Sequence, residues 1–424
     1  MFINTIKKKI NHHRQQVKNG GIKIFYKKII NVSTVIINIP FYFLAFFFLL
    51  ILKLLKPIIL IRIGRFRSIK LGHLSEEYEI FLCEKKLNIN QPNQKYIDFF
   101  FREKYICNEY YYHLRKKEFI IFPRIILLPL YQLIIFLGYK KIFICDRAHA
   151  AIDTFYVLDK TESTIKISDD LKKKSNKILE QKGLNKDQKI ICLHLRDDTY
   201  RGKNNATDFR NIKNIDRYIK TIKYLTKKGY FVIRTGVRTK KRINFKDQNY
   251  FDYSQSEIRT EKMDVFLASS CHFCIANGSG FEPMVRSFRK PVLYTNFNKY
   301  GGYKSQHQKD MTIFLHYVDI ESKKKIGLKE IFDRGLIYLN WDYEILEKKI
   351  YVEENSEDEI LEATIEMIDR LDNKWQISNE VKDLAIKFKN FYNRNVRLGD
   401  GFNAHTNIKS QIPNSFLKRN KHLL

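Results

Sequence analysis

The chain has 424 residues, a formal net charge of +31 and 44% hydrophobic residues: length for two ordinary domains and apolar content for real cores, which excludes a disordered chain. A field that strong recruits polyanions, yet the cations are scattered through a sequence rich in Lys, Asn, Ile, Phe and Tyr, and no nucleic-acid module is present, so nucleic acid is not an expected partner. The six cysteines, Cys83, Cys107, Cys145, Cys192, Cys271 and Cys274, lack the spacing of a secreted disulfide scaffold, and Cys271-His272-Phe273-Cys274 has a zinc-knuckle spacing with no second pair, so no metal site is expected.

Residues Lys7 to Lys28 form a basic arm without an acidic residue. The uncharged stretch Thr34 to Leu52 follows, long enough to cross a bilayer at about 20 residues per span. It has no small-residue cleavage site, so a removable signal peptide is not expected. Three readings stay open: a spanning helix, a helix lying in or re-entering the interface, and a buried hairpin. Cations flank the stretch on both sides, Lys27 and Lys28 before it and Lys53 and Lys56 after it, so the charge comparison sets no orientation. An interfacial or re-entrant anchor would keep both flanks on the cytoplasmic face of an inner membrane, where anionic lipid favours the lysines.

Pro57 to Ile63 reads as a strand closed by Gly64, and Gly72-His73-Leu74-Ser75 leads into a helix from Glu76 to Lys86 with Ser75 as its cap. His73 then sits at the ligand-facing end of a first βα unit, as a general base or as a histidine bonding its own loop. Phe119 to Pro123 and Lys141 to Cys145 read as strands around a helix from Ile125 to Leu137 that Pro129 could kink.

The second half alternates more clearly. Helices are expected at Asp169–Gln181, Ile215–Lys227, Glu261–Ser269 and Phe281–Phe288, and strands at Lys189–Leu195, Tyr230–Arg234, Cys271–Ala276 and Pro291–Thr295. Strands spaced by such helices mean a parallel, doubly wound sheet. The turns that follow the strands hold His194, Arg196 and Asp197; Arg234, Thr235 and Gly236; and Asn277, Ser279 and Gly280. Arg210 and Asn211 precede a helix that Asn214 can cap. Carboxyl-terminal strand edges are where such sheets bind ligands, and an arginine fork beside backbone amides at a helix start suits phosphate. No Walker lysine and no G-x-G-x-x-G spacing is present, which disfavours P-loop ATPases and dinucleotide enzymes.

Several stretches carry a resemblance: Leu193 to Asp197 with Tyr200, Phe209-Arg210-Asn211 with Tyr218, Val232 to Gly236, Met263 to Leu267, and Ser279-Gly280-Phe281. Leu60 to Gly64, Gly72-His73-Leu74 and Phe416 to Asn420 complete the series. Their order resembles a bacterial family of GT-B-like glycosyltransferases associated with surface-polysaccharide biosynthesis, and Ile275 to Val292 is similar to the donor-phosphate turn of heptosyltransferases. Asp198-Thr199 departs from the pattern, which leaves the loop's sugar contacts unassigned.

The resemblance implies an α/β chain of two Rossmann-like domains, taken as an acceptor domain at 54–178 and a nucleotide-sugar domain at 179–372; the hydrophobic stretch adds a membrane-associated segment at 1–53, and a helix and tail are expected at 373–424. It implies a metal-independent transferase, without cofactor, that moves a sugar from a nucleotide-sugar to a lipid-linked or polysaccharide acceptor, with His73 as base if the reaction inverts. The competing expectation is a non-catalytic binding or scaffold protein that keeps the same fold at the membrane.

Overall fold

The computed structural model describes residues 39–148, 150, 152–197, 208–237, 239, 241–298, 300–305, 307–339, 342–396 and 409–424. The basic arm, the start of the hydrophobic stretch, and Asp198, Thr199 and Tyr200 lie outside the described residues. The architecture is mixed α/β, with parallel sheets of three and six strands. The chain groups into two compact units, each built from more than one segment.

The first unit comprises Met1–Phe66, Pro92–Glu103 and Phe119–Asp146. It holds α1 (Ile39–Leu55), β1 (Leu60–Phe66), β2 (Tyr96–Arg102), β3 (Ile120–Ile121) and α2 (Arg124–Phe136). The three strands pair in parallel in the order β1-β2-β3. Gly64 does not end β1; the strand runs through it, and packing requires glycine there, since a Cβ would lie 2.3 Å from the Phe100 ring and 2.8 Å from Cys145 Sγ. Leu49 and Leu52 of α1 join Leu127, Leu130 and Ile134 of α2 in one core over the sheet. Arg62 and Asp98, neighbours across β1 and β2, form a bidentate pair at 2.7 and 2.9 Å. The expected strand at Lys141–Cys145 is instead a short helix, Lys140–Phe143, after which Ile144 bridges Ile63 in parallel. Tyr139 O accepts from both Ile142 N and Phe143 N, and burial of Phe143 overrides the strand propensity of the local isoleucines. Among the described residues no helix is long and apolar enough to cross a membrane.

The second unit comprises Arg67–Gln91, Lys104–Glu118 and Arg147–Leu424. Its sheet contains β4 (Ile190–His194), β5 (Phe231–Thr235), β6 (Tyr250–Asp252), β7 (Phe273–Ala276), β8 (Val292–Phe297) and β9 (Met311–Phe314). All pairings are parallel and the order is β6-β5-β4-β7-β8-β9. That is the 3-2-1-4-5-6 arrangement of doubly wound nucleotide-binding folds, with the order reversing between β4 and β7. β5, β7 and β8 are buried at every position, as strands covered on both faces must be.

Helices α3 (Asp169–Glu180), α4 (Ile219–Lys227), α5 (Glu261–Ser270) and α6 (Phe281–Ser287) supply the crossovers and cover. Ser168 and Thr260 cap α3 and α5 through their hydroxyls, and Asn214 accepts from Asp216 N at the turn that opens into α4. Gly229 takes φ +84° just past α4, where a side chain would be strained.

The segment Arg67–Gln91 is tied to this sheet by buried charge. Glu79 accepts from Arg115 at 2.7 Å, Arg289 at 2.8 Å and Thr164 N at 2.8 Å. Burial opposes ionisation of Glu79, but the two guanidinium groups and Thr164 outweigh it and hold the carboxyl below its usual range. Ser75 is not a cap. Its hydroxyl donates to Leu71 O at 2.7 Å within a π-helical turn, His73–Glu77, that precedes the helix Tyr78–Lys86. At the carboxyl end, α7 (Glu357–Leu371), α8 (Asn379–Asn395) and α9 (Asn414–Arg419) close the unit, with Asn420 Nδ2 donating to Glu359 Oε1 at 2.7 Å.

Candidate functional site

β4 delivers His194 to the edge of the sheet and the chain turns through Leu195, Arg196 and Asp197. Asn277, which follows β7, locks that turn: its Oδ1 accepts from Arg196 N at 2.9 Å and its Nδ2 donates to Arg210 O at 3.0 Å. Asn277 is 1% exposed, so its amide is consumed in holding three loops together. Asn211 Oδ1 accepts from Arg196 Nε at 2.8 Å, and Ile212 N donates to Arg196 O at 2.8 Å. The guanidinium of Arg196 is thereby oriented at the point where the strand order reverses, the position at which open parallel sheets bind ligands.

The β5 turn divides its expected work differently. Arg234 is fully buried, and Nη1 donates to Asp252 Oδ2 at 3.1 Å and to Lys241 O. That arginine ties β5 to β6 rather than reaching the rim. Thr235 Oγ1 meets His194 Nδ1 at 2.9 Å, and the His194 ring stacks on Phe281 at 4.9 Å. Burial and the nearby Arg234 charge push the His194 imidazole down to about 4, so it is neutral near pH 7. Gly236 is needed for packing, since a Cβ would stand 2.8 Å from Thr239 Cγ2.

Gly278, Ser279 and Gly280 make the turn before α6. Gly278 takes φ +85°, which an L side chain adopts only at a cost of about 1–2 kcal/mol. Ser279 Oγ makes a long 3.4 Å contact with Glu282 Oε2. A Cβ on Gly280 would meet Leu71 Cβ at 3.3 Å and Gly72 N at 3.6 Å, so the His73 turn packs directly on this one. α6 has only seven residues, so amide donors at its start matter more here than a long-helix dipole.

His73 therefore lies within the same compact unit as the other expected site residues. Its Nδ1 is 2.8 Å from Glu77 Oε2, and Arg67 Nη1 stands 3.6 Å from the same oxygen. A carboxylate there favours hydrogen on Nδ1 and leaves Nε2 as the proton acceptor. Glu77 was missed in the sequence, although its i, i+4 spacing from His73 is the signal that marks such pairs. Phe281, the platform under His194, was equally unmarked as a partner, because nothing local predicts a contact between β4 and α6. Among the described residues no group of three or more His, Cys, Asp or Glu side chains could hold a metal ion.

No protein-family model matches the chain, and no curated protein matches it. Among solved structures it is similar to the glycosyl transferase family 9 protein of Veillonella parvula, at 13% identity and TM-score 0.34, covering 57% of this chain and 82% of that one. It is also similar to the E. coli ADP-heptose LPS heptosyltransferase II, at 12% identity and TM-score 0.33, covering 55% and 84%. A third likeness is to UDP-GlcNAc 2-epimerase from Neisseria meningitidis bound to UDP-GlcNAc, at 9% identity and TM-score 0.30, covering 81% and 96%. Identities and scores this low assign no residue a role; the reading of the site rests on its own geometry.

Proposed function

We propose that the chain is a GT-B-like glycosyltransferase that moves a sugar from a nucleotide-sugar donor to a lipid-linked or polysaccharide acceptor, in cell-surface glycan synthesis at the cytoplasmic face of the bacterial inner membrane. The observation that carries this reading is the convergence, at the reversal of strand order between β4 and β7, of an oriented Arg196, the Ser279–Gly280 turn and the His73–Glu77 pair.

In this reading the diphosphate of the donor lies against Arg196 and the amides of the Ser279–Gly280 turn. As the bond from the sugar C1 to the diphosphate oxygen breaks, its electron pair leaves on that oxygen. Fixed donors stabilise the developing charge more in the transition state than in the ground state. The acceptor hydroxyl attacks C1 and passes its proton to Nε2 of His73, whose ring Glu77 holds through Nδ1. No divalent ion is required by this scheme.

The test combines two variants with a nucleotide-binding readout. Arg196→Ala is expected to lose both the thermal shift with nucleoside diphosphates and nucleotide-sugar turnover, the latter by about 100-fold or more. His73→Ala is expected to keep the shift and lose turnover. Binding without transfer by the wild type, across donor and acceptor screens, would instead assign the chain as a non-catalytic binding protein.

A further inference from the structure

The first unit carries a surface that glycosyl transfer does not use. α1 and α2 run side by side in the same direction. Tyr42 hydrogen-bonds Gln132 along the pair, and at its end Lys53 Nζ donates to Tyr139 Oη at 2.7 Å across a sequence separation of 86. Ala45, Leu49 and Leu52 of α1 are spent on the core shared with α2. The outward flanks of both helices are apolar and exposed, with Phe43 68% exposed on α1 and Phe136 85% exposed on α2. Of the 27 large hydrophobic side chains exposed among the described residues, 14 lie on these two helices and the turns that end them. Soluble monomers rarely leave so concentrated an apolar face to water.

Charge says what covers it. Within this unit, residues 39–66 and 119–145 contain no Asp or Glu. Lys53, Lys56, Lys140 and Lys141 are exposed, and gather where the two helices end. Tyr139, under the Lys53 ammonium at 3.9 Å from its ring centroid, is the kind of aromatic that sits at a lipid interface. The described length of α1, Ile39–Leu55, is 17 residues, about 25 Å at 1.5 Å per residue, and among the described residues no helix is long and apolar enough to cross a membrane.

We propose that α1 and α2 together form a monotopic docking face for an anionic lipid bilayer, with the apolar flanks of both helices in one leaflet and the four lysines at its phosphates. The anchor is thus not one hydrophobic segment: half of it comes from a helix far along the chain. The inference rests on the proposed function only in naming a membrane as the place of work, and its test needs no sugar transfer.

The full chain is floated with phosphatidylcholine vesicles with and without phosphatidylglycerol, beside Phe47→Asp, Phe136→Asp and the double variant Lys140→Glu/Lys141→Glu. All these positions are exposed, and circular dichroism checks their folding. The wild type is expected to float with the anionic vesicles. Each Phe variant should lower partitioning about tenfold or more, and the charge reversal should abolish the preference for phosphatidylglycerol. Loss in Phe47→Asp with full retention in Phe136→Asp would overturn the two-helix face in favour of a single anchor. A wild type that ignores vesicles and is dimeric by light scattering would overturn the lipid in favour of a second copy. A thermal shift with nucleoside diphosphates on the same samples reads the other proposal separately: its absence alongside intact flotation counts against the donor site alone.

Discussion

At the scale of single residues, environment outweighs residue type. Arg196 and Arg234 both follow apolar strand positions and both are buried, yet one is oriented at the sheet edge by Asn211 and the other is bonded to Asp252 inside the sheet. His194 shows a thermodynamic consequence. Its folded-state value near 4 lies below the 6.5 of an exposed histidine, so the unfolded chain binds a proton first on acidification. The stability it contributes is complete above pH 6.5 and is lost as pH falls toward 4. The loss amounts to about 2 kcal/mol between pH 7 and pH 5. Asp264 works in the opposite direction, because burial lifts its carboxyl from 3.8 to about 6 and the folded state then gains a proton first as pH falls. The comparison must therefore be between proteins: urea unfolding of the wild type and His194→Gln at pH 7 and pH 5 should show the wild type losing about 2 kcal/mol more. Equal losses would show that the imidazole titrates normally.

At the scale of elements, the sequence pattern located strands and helices well wherever local signals were strong. β4, β5, β7 and β8 each open on a run of three or more apolar residues, and α3 and α5 carry Ser and Thr caps. β6, three residues ending on Asp252, and β9, four residues in which Thr312 interrupts the apolar side chains, escaped. The π-helical turn at His73–Glu77 escaped because an added residue in a turn leaves no compositional mark. What attaches that turn's helix to the second unit is also unreadable locally, since Glu79 and Arg289 are 210 residues apart. Arg115 and Glu79 are wholly buried at 2.7 Å. Glu79→Gln leaves that guanidinium without its counter-charge, and the expected cost is about 3–5 kcal/mol in equilibrium urea unfolding. Arg115 also donates to Thr164 Oγ1 at 2.6 Å and Tyr111 Oη at 3.0 Å, and a loss below about 1 kcal/mol would show that these two suffice to hold it.

At the scale of the whole molecule, the hydrophobic segment is both surface and core. Ala45, Leu49 and Leu52 cover Leu127, Leu130 and Ile134, so deleting residues 1–53 uncovers the interior of the first unit as well as removing the outer apolar flank. The truncated chain is expected to aggregate without detergent in size-exclusion chromatography. A monodisperse, soluble product would show that α1 is a dispensable anchor. The expected division at residue 178 took sequence neighbours to be spatial neighbours, whereas 67–91, 104–118 and 147–178 group with the later sheet.

The sequence by itself determined that a parallel α/β sheet occupies the second half, and that turns with Arg196, Asn277 and Gly280 follow its strands. Those properties are local, written in periodicity, caps and glycine positions. Only the tertiary structure decided that β4 and β7 are neighbours at a reversal of strand order, that Arg234 is an internal tie, and that the His73 turn packs on Gly280. Each of these depends on burial, register or ion pairing between residues remote in the chain. A linear pattern names the candidates for such contacts; packing selects among them.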